Sequence, residues 1–324
     1  MQNITWKGVR LRIESHNVFV NGNQLELRRC YRNATGTPIL MLAGFLENSQ
    51  VFLPDRSEAG LAQFLAAQGY DVYLADLRGK GNSWPKVGRH SDWGLHEAIV
   101  EDIPAHLGML EKLRPGVAQF WLGQGMGSIL LLCAYARLQQ LSAPVLGMAH
   151  FAASRHCQLD SWRKLMGFRL WSGTSAVYSF LNGYVGIPFS ESIKRETRLS
   201  LSVWKRWLNG EDWRDPVDKF NYGDALQATK LPANAYFANL HAGLWGNADD
   251  CRHWIEEMGQ HDARLFTVGK SGGSQRNYSS KGLLQHPTSC EDHFQQLNDW
   301  LKERELLMTA KQGDKEEDTD DLLV

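Results

Sequence analysis

Two spacings of apolar residues alternate along this chain of 324 residues, and their order predicts its secondary structure. Apolar and polar positions alternate at 9–32 (VRLRIESHNVFVNGNQLELRRCYR), where the central Asn-Gly-Asn predicts a two-stranded hairpin. The run at 37–45 (TPILMLAGF) is continuously apolar, as is typical of a strand buried on both faces. Helical spacing follows at 59–70, and a second buried strand at 71–84 leads into a glycine-rich loop. This order predicts a parallel βαβ unit.

The same order recurs further along the chain. A helical pattern at 95–116 precedes an apolar strand at 118–123, a glycine-rich turn with its helix, and a further strand at 143–153. Strands that alternate with helices in this way predict an α/β fold with a mostly parallel, doubly wound sheet.

The periodicity also predicts how the chain is divided. Residues 1–153 form the first part of the α/β core, and 231–308 complete it. Between them, at 154–230, the periodicity loosens and five tryptophans accumulate, which predicts a helical cap inserted over the carboxyl edge of the sheet. Residues 309–324 are acidic and lack aromatic side chains, so we expect a disordered tail.

Composition excludes several classes of protein. With 35 basic and 36 acidic residues, the net charge of −1 gives no reason to expect a nucleic-acid or acidic-membrane partner. The amino terminus has no apolar signal region, and no run of about 18 apolar residues occurs, so we expect a cytoplasmic protein without a transmembrane segment. The five cysteines are scattered without metal-binding spacing, which predicts buried free thiols and no metal or other cofactor.

Residues 121–128 (WLGQGMGS) have the pattern of a strand that turns sharply into a helix. Gly-x-Ser-x-Gly at such a turn is the nucleophile elbow of hydrolases. Here the central residue is Gly125, which has no side chain to attack a substrate. Glycine at this position also removes the strain of about 1–3 kcal/mol that other residues store in unusual backbone conformations.

Together with six other segments, this turn resembles the α/β-hydrolase family in its lipase, esterase and polyhydroxyalkanoate-synthase-like branch. The likeness extends to about residue 305. The matching segments, in order, are LAGF (42–45), YDVYLADLRGKGNS (70–83), EDIPAHL (101–107), GQGMGS (123–128), DWRDPVDKFNYGDAL (212–226), NADDCRHWIEEMG (247–259) and NYSSKGLLQHP (277–287).

The resemblance implies a catalytic serine, histidine and acid at positions that this chain fills differently. The serine position holds Gly125, and Ser280 stands in the position of the histidine. The acid position, in the loop after the strand that ends near residue 239, holds His241 or Ala242. A Gly-x-Gly-x-Gly turn is also found in the N-myc downstream-regulated family, whose members are regarded as non-catalytic.

The backbone groups that the family uses to bind an oxyanion do not depend on side chains. The resemblance implies that the amides of Phe45 and Met126 form this hole, since one follows Leu-Ala-Gly and the other follows the turn. Gly44 and Gln124 flank these donors and are expected to line a pocket. In the loop after the second parallel strand, Asp76 and Arg78 are expected to hydrogen-bond locally.

A relocated catalytic group is the alternative. Ser128 is the nearest hydroxyl, but it lies about 4.5 Å further along the helix. His150 follows a strand that ends toward the expected pocket mouth, where it would contact a ligand or serve as a structural histidine. His241, His286 and His293 are further candidates, with surface or capping roles as the competing interpretation.

These observations lead to three hypotheses about function, the third of which is a pure interaction protein whose pocket has collapsed. In the first, the chain lacks the triad and binds an apolar acyl or ester ligand, or a protein partner, without turnover. In the second, it is a carboxylic-ester or thioester hydrolase or an acyltransferase with a relocated catalytic group. The aromatic residues of the insertion either line an acyl-binding cavity or seal the insertion onto the core.

Overall fold

A nine-stranded sheet lies at the centre of the computed structural model, which describes residues 1–54, 59–138, 140–186, 194–241, 243–244 and 246–320, without the side chains of 311–320. The strands are β1 (Gln2–Trp6), β2 (Val9–Val20), β3 (Asn23–Tyr31), β4 (Pro38–Leu42), β5 (Asp71–Asp76), β6 (Gln119–Gln124), β7 (Val145–Phe151), β8 (Tyr184–Gly186), β9 (Arg195–Thr197), β10 (Ala233–Asn239) and β11 (Ala263–Val268).

The order of strands in the large sheet is β1-β2-β3-β5-β4-β6-β7-β10-β11, and β8 pairs with β9 separately. Pairing is antiparallel from β1 to β5 and parallel from β5 to β11. The predicted α/β architecture with a mostly parallel sheet is therefore confirmed. Strand β1 was not predicted. Lys7 and Gly8, at positive φ values of 43° and 82°, form the tight turn that pairs it with β2.

Helices cover both faces of this sheet. They are α1 (Leu61–Ala67), α2 (Leu95–Glu97), α3 (Ile103–Leu113), α4 (Met126–Arg137), α5 (Trp162–Asn182), α6 (Arg198–Leu208), α7 (Tyr222–Ala228), α8 (Ala248–Glu257), α9 (Gly282–Gln285) and α10 (His293–Asp320). A π-helical turn (Ala98–Asp102) joins α2 to α3.

Side chains on the parallel strands alternate between two apolar cores. On β4, Leu40 and Leu42 contribute to one core and Ile39 and Met41 to the other. The first core also receives side chains from α3, α4, α6 and α8, and the second from α1 and α10. All five cysteines are buried free thiols, as predicted: Cys30, Cys133, Cys157, Cys251 and Cys290.

Between β7 and β10 the chain forms α5, the β8–β9 pair, α6 and α7. Of its tryptophans, Trp204, Trp207 and Trp213 are buried in the first core, so they attach the insertion to the sheet. Trp162 is exposed. The tryptophans of α6 and of the loop after it therefore mainly pack this segment against the first core.

The carboxyl-terminal segment departs from its prediction. We expected disorder over 309–324, but α10 continues to Asp320, while 321–324 lie outside the described residues. The first turns of α10 are held by Phe294, Leu297 and Trp300 in the second core. Extending a helix that is already nucleated costs little free energy, so an acidic composition did not prevent it.

The buried carboxylate of Asp71, at the start of β5, connects this strand with β3 and with the end of α3. It accepts two hydrogen bonds from Arg29 of β3, at 2.7 and 2.8 Å. It also accepts one from Arg114 at the end of α3, at 2.6 Å, and one from the hydroxyl of Tyr73, at 2.8 Å. One carboxylate thus pairs with a buried guanidinium group, that of Arg29, and with a partly buried one, that of Arg114.

We expect Asp71→Asn to lower the free energy of unfolding by about 3 kcal/mol, because it removes the carboxylate partner of Arg114 and leaves Arg29 only its 3.7 Å pair with Glu14. Asp262→Asn is the matched control, since that exposed carboxylate pairs with Arg304 in solvent and its loss should cost less than about 1 kcal/mol. Urea titration of both variants measures the difference. Equal costs would contradict the role given to Asp71.

Candidate functional site

The turn between β6 and α4 has the backbone geometry of an elbow. Gly125 lies there with φ 51° and ψ −120°, a conformation that residues with a side chain rarely adopt. Its amide donates to the carbonyl of Phe151 at 2.9 Å, and its own carbonyl accepts from the amide of Ser128 at 3.1 Å. The strand therefore passes directly into the helix and presents residue 125 at the top of the turn.

The glycines on either side of Gly125 are required by close packing. A Cβ on Gly127 would lie 2.3 Å from the carbonyl oxygen of Leu42, and one on Gly123 would lie 2.5 Å from the backbone of Ser128. A Cβ on Gly125 would meet nothing nearer than the carbonyl oxygen of Ala152 at 3.9 Å. The central position thus has room for a side chain that it does not carry.

The structure brings the predicted residues Gly44 and Gln124 together. The amide of Gly44 donates to Oε1 of Gln124 at 3.2 Å, which ties the loop after β4 to the turn. Met126 is the first residue of α4, where backbone amides lack an intrahelical acceptor. Among the described residues, neither the Met126 amide nor the Phe45 amide donates to a protein acceptor.

The insertion contacts the loop after β4. Trp171 of α5 packs edge-on against Phe45, with ring centroids 6.2 Å apart. Buried Glu196 of β9 accepts from the amide of Leu46 at 3.3 Å and forms an ion pair with Lys80.

A second ion pair joins Lys194 to Glu47. Burial lowers the pKa of Lys194 to about 8. Sequence reasoning missed these contacts, because charged residues more than a hundred positions apart carry no spacing signal.

Asp76 and Arg78 form hydrogen bonds, but to residues 27 and 24 positions away and not locally as predicted. Asp76 accepts from the amide and the hydroxyl of Ser49, at 2.7 and 2.8 Å. Burial raises the pKa of Asp76 to about 6, although these hydrogen bonds oppose the shift. Arg78 donates from its backbone amide and its side chain to Asp102, each at 2.9 Å.

Ser280 and His241, which the sequence resemblance assigns to the histidine and acid positions, form no histidine–carboxylate pair with each other. Ser280 and His241 are both exposed, and Ala242 lies outside the described residues. The two loops are joined instead by buried Asn239 at the end of β10, whose side-chain amide donates to the carbonyl of Tyr278 at 3.1 Å. The oxygen of the same side chain accepts from the amide of His241 at 3.0 Å. Sequence reasoning missed Asn239, although its place at a strand end was a usable signal.

His150 does not face a pocket mouth, which corrects the expectation from its place in the sequence. It is 1% exposed, donates from Nε2 to Oδ1 of Asn234 at 2.8 Å, and packs against Tyr236 and Trp254. Burial lowers its pKa to about 4. Alternation along β7 turns this side chain into the core, so it is a structural histidine.

The two later histidines also have structural contacts. Buried His293 donates from Nε2 to the carbonyl of Leu283 at 2.7 Å, and burial lowers its pKa to about 4. His286 precedes a short helical turn, and its ring accepts from the amide of Thr288 at 3.2 Å. Burial and the nearby Arg276 lower the pKa of His286.

Ser128 is not accessible to a substrate, contrary to its role as a pocket candidate. It is fully buried beneath the turn, and among the described residues its hydroxyl has no hydrogen-bond partner. Ser128, His150, His241 and His286 share no hydrogen bond in the described part of the chain. The structure therefore does not assemble the relocated catalytic group.

Within the described ranges, two histidine rings lie within 4 Å of a carboxylate oxygen. His16 lies 3.6 Å from Glu14 on the edge of the sheet, and His96 lies 2.8 Å from Asp215. Asp215 also pairs at 2.9 Å with Arg137, the last residue of α4. Because α4 has 12 residues, this pair lies about 17 Å along the helix from the turn.

His96, Asp215 and Asp218 form a cluster whose ligand atoms lie within 4.8 Å of one another. Arg137 already pairs with both carboxylates, at 2.9 and 2.8 Å. Its hydrogen bonds are the main cause of the lowered pKa of Asp218. A metal ion would have to compete with this guanidinium, so the cluster is explained as an ion-pair network.

Comparison with known proteins agrees with this geometry. Residues 38–176, which include the turn, match the family described as serine aminopeptidase, S33. No curated protein sequence matches the chain. Among the described residues, no helix combines the length and hydropathy needed to cross a membrane.

Solved structures extend the likeness to almost the whole chain. A candidate aryl esterase from Burkholderia cenocepacia is 12% identical with a TM-score of 0.56, covering 90% of this chain and 99% of that one. A candidate hydrolase from Agrobacterium vitis S4 is 13% identical with a TM-score of 0.55, covering 91% of this chain and 98% of that one. An esterase from Thermogutta terrifontis is 14% identical with a TM-score of 0.54, covering 90% of this chain and 99% of that one. The chain has the α/β-hydrolase fold, as the sequence resemblance predicted.

We expect Gly127→Ala to destabilise the protein by about 3 kcal/mol, because its Cβ would overlap a backbone carbonyl that has no room to move. Gly125→Ala should cost only about 1 kcal/mol, which is the strain of its positive φ. Gly108→Ala, in open space on α3, is the control and should be neutral or stabilising. Thermal unfolding ranks the three, and an equal loss at 125 and 127 would contradict this account of the turn.

Proposed function

We propose that this chain is a non-catalytic member of its fold class that binds an apolar acyl or ester ligand at the β6–α4 turn. In this proposal the amides of Phe45 and Met126 donate hydrogen bonds to the carbonyl or carboxylate oxygen of the ligand. The observation that carries the proposal is Gly125, which has the backbone geometry of a nucleophile position and no side chain.

The absence of turnover follows from three positions together. Covalent acyl transfer needs a nucleophile, a base to take its proton and an acid to orient the base. In this chain those places hold Gly125, Ser280 and the loop of His241. Burial lowers the pKa of His150 and of His293 to about 4, so both rings are weak bases at neutral pH. An oxyanion hole alone retains binding and only weak catalysis.

The insertion serves as a cap in this proposal. Its support is the contact of Trp171 with Phe45 and the hydrogen bond from the Leu46 amide to Glu196. These contacts place an aromatic ring and a buried ion pair beside the proposed donors. An apolar chain attached to the bound oxygen would pack against Phe45 and Trp171, whereas a protein partner would present a backbone carbonyl to the same amides.

The alternative is a carboxylic-ester or thioester hydrolase or an acyltransferase. It is favoured by the esterase described for Thermogutta terrifontis, whose fold this chain shares. It requires a nucleophile outside the turn, since Gly125 cannot supply one. Labelling by a fluorophosphonate probe therefore separates the two functions.

We expect the wild-type chain to show negligible turnover of p-nitrophenyl butyrate and no fluorophosphonate labelling. Gly125→Ser alone should remain inactive, because the new hydroxyl would have no base within reach. Spectrophotometric assay and mass spectrometry of the labelled protein check both statements. Wild-type turnover together with one labelled serine would establish the alternative.

Substitution of Met126 tests the proposed donor directly. Proline is tolerated at the first position of a helix, and Met126→Pro removes the backbone N–H of residue 126. Met126→Ala keeps this N–H, and both variants lose the buried methionine side chain. We expect Met126→Pro to bind decanoate about tenfold more weakly than Met126→Ala, in line with the loss of one hydrogen bond to a charged group. Isothermal titration calorimetry measures both affinities. Equal affinities would exclude this amide as a donor.

A further inference from the structure

Helix α5 exposes many of its large apolar side chains to solvent, although Phe168 and Trp171 pack against the first core. Six of them are between 42% and 71% exposed: Trp162, Met166, Leu170, Val177, Phe180 and Leu181. The side of the helix that packs against the protein includes the small residues Ser175 and Ser179, which are buried. At 100° per residue the six exposed side chains occupy one stripe about 100° wide. This is the reverse of the arrangement expected for a helix on the surface of a soluble domain.

The charges on the two helices themselves have one sign, while exposed carboxylates lie in the flanking segments at Asp160, Glu211 and Asp212. Helices α5 and α6 together contain six basic residues and no acidic one: Arg163, Lys164, Arg169, Arg198, Lys205 and Arg206. Glu196, which lies between the helices, is buried and paired with Lys80. Asp160, just before α5, pairs with Lys164. The net charge of −1 for the whole chain therefore conceals a strongly basic local surface.

A groove of about 670 Å³ runs between the two helices. Its apolar lining includes Val177, Phe180 and Leu181 of α5 and Leu201 of α6, while Arg198 and Arg206 stand at its polar side. The combination of an apolar floor and guanidinium groups matches an acyl chain attached to an anionic head group.

We propose that this α5–α6 face binds the surface of a bilayer containing anionic phospholipid. Helix α5, about 31 Å long, would lie in the plane of the interface with its apolar stripe among the acyl chains. The basic residues would contact the phosphate groups, each adding attraction to a negative surface. This mode needs no membrane-spanning helix, and it does not depend on the proposed function.

Charge favours a bilayer over a second copy of the chain. A symmetric dimer through this face would set the six basic residues of one copy against the same six of the other, which is repulsive. An anionic lipid surface instead supplies both the opposite charge and the apolar phase. The exposed tryptophan at the start of α5 is a side chain that commonly lies at such interfaces.

Vesicle co-sedimentation of the full chain tests the proposal. We expect binding to vesicles of phosphatidylcholine mixed with phosphatidylglycerol, weaker binding to phosphatidylcholine alone, and loss of the difference at high salt. The double variant Leu170→Ser/Phe180→Ser should bind at least about tenfold more weakly to both. Arg198→Gln/Arg206→Gln should bind roughly 30-fold more weakly to the anionic vesicles only.

Phe19→Ser is the matched control, because Phe19 is 73% exposed on β2, outside this face, and its loss should leave binding unchanged. Circular dichroism confirms that each variant is folded. Absence of wild-type binding to anionic vesicles at low salt would overturn the proposal, as would equal binding by the Leu170→Ser/Phe180→Ser variant. Light scattering that shows a dimer abolished by that variant would also overturn it and would identify the face as a self-association surface.

Discussion

The close approach of two backbone segments determines the geometry of the candidate site. The start of α4 packs against the end of β4 so tightly that Gly127 faces the carbonyl oxygen of Leu42 without space for a Cβ. On the other side of the turn, Gly44 approaches the backbone of Gln124 in the same way, at 2.7 Å from its would-be Cβ. The shape of the turn is therefore held by its neighbours and does not require a reactive residue at its centre.

This constraint explains how a hydrolase geometry and the absence of a nucleophile coexist. Backbone packing specifies the elbow and the direction of its amides, whereas chemistry needs side chains from three separate loops. Loss of the side chain at 125 removes strain and leaves the packing intact. In the described part of the chain the amides of Phe45 and Met126 donate to no protein acceptor, and the proposed binding role is built on this observation.

The distribution of charge matters more than its sum in this protein. From the composition we expected no attraction to an acidic membrane, and the total of −1 supports that expectation. Folding separates the charges, because the insertion places two wholly basic helices beside each other and buries Glu196 between them. The helices themselves carry no acidic residue, and the exposed carboxylates of Asp160, Glu211 and Asp212 lie in the segments that flank them.

The sequence by itself determined most of the strand and helix order, the two-faced sheet and the glycine turn, although not β1 or the β8–β9 pair, because these features depend on local periodicity and on glycine patterns. Only the tertiary structure decided which residues meet at the site. It turned His150 into the core, buried Ser128 beneath the turn, and joined Glu196 to Leu46 and Asn239 to Tyr278. Contacts between residues far apart in sequence depend on how loops pack in three dimensions, and no spacing along the chain records that packing.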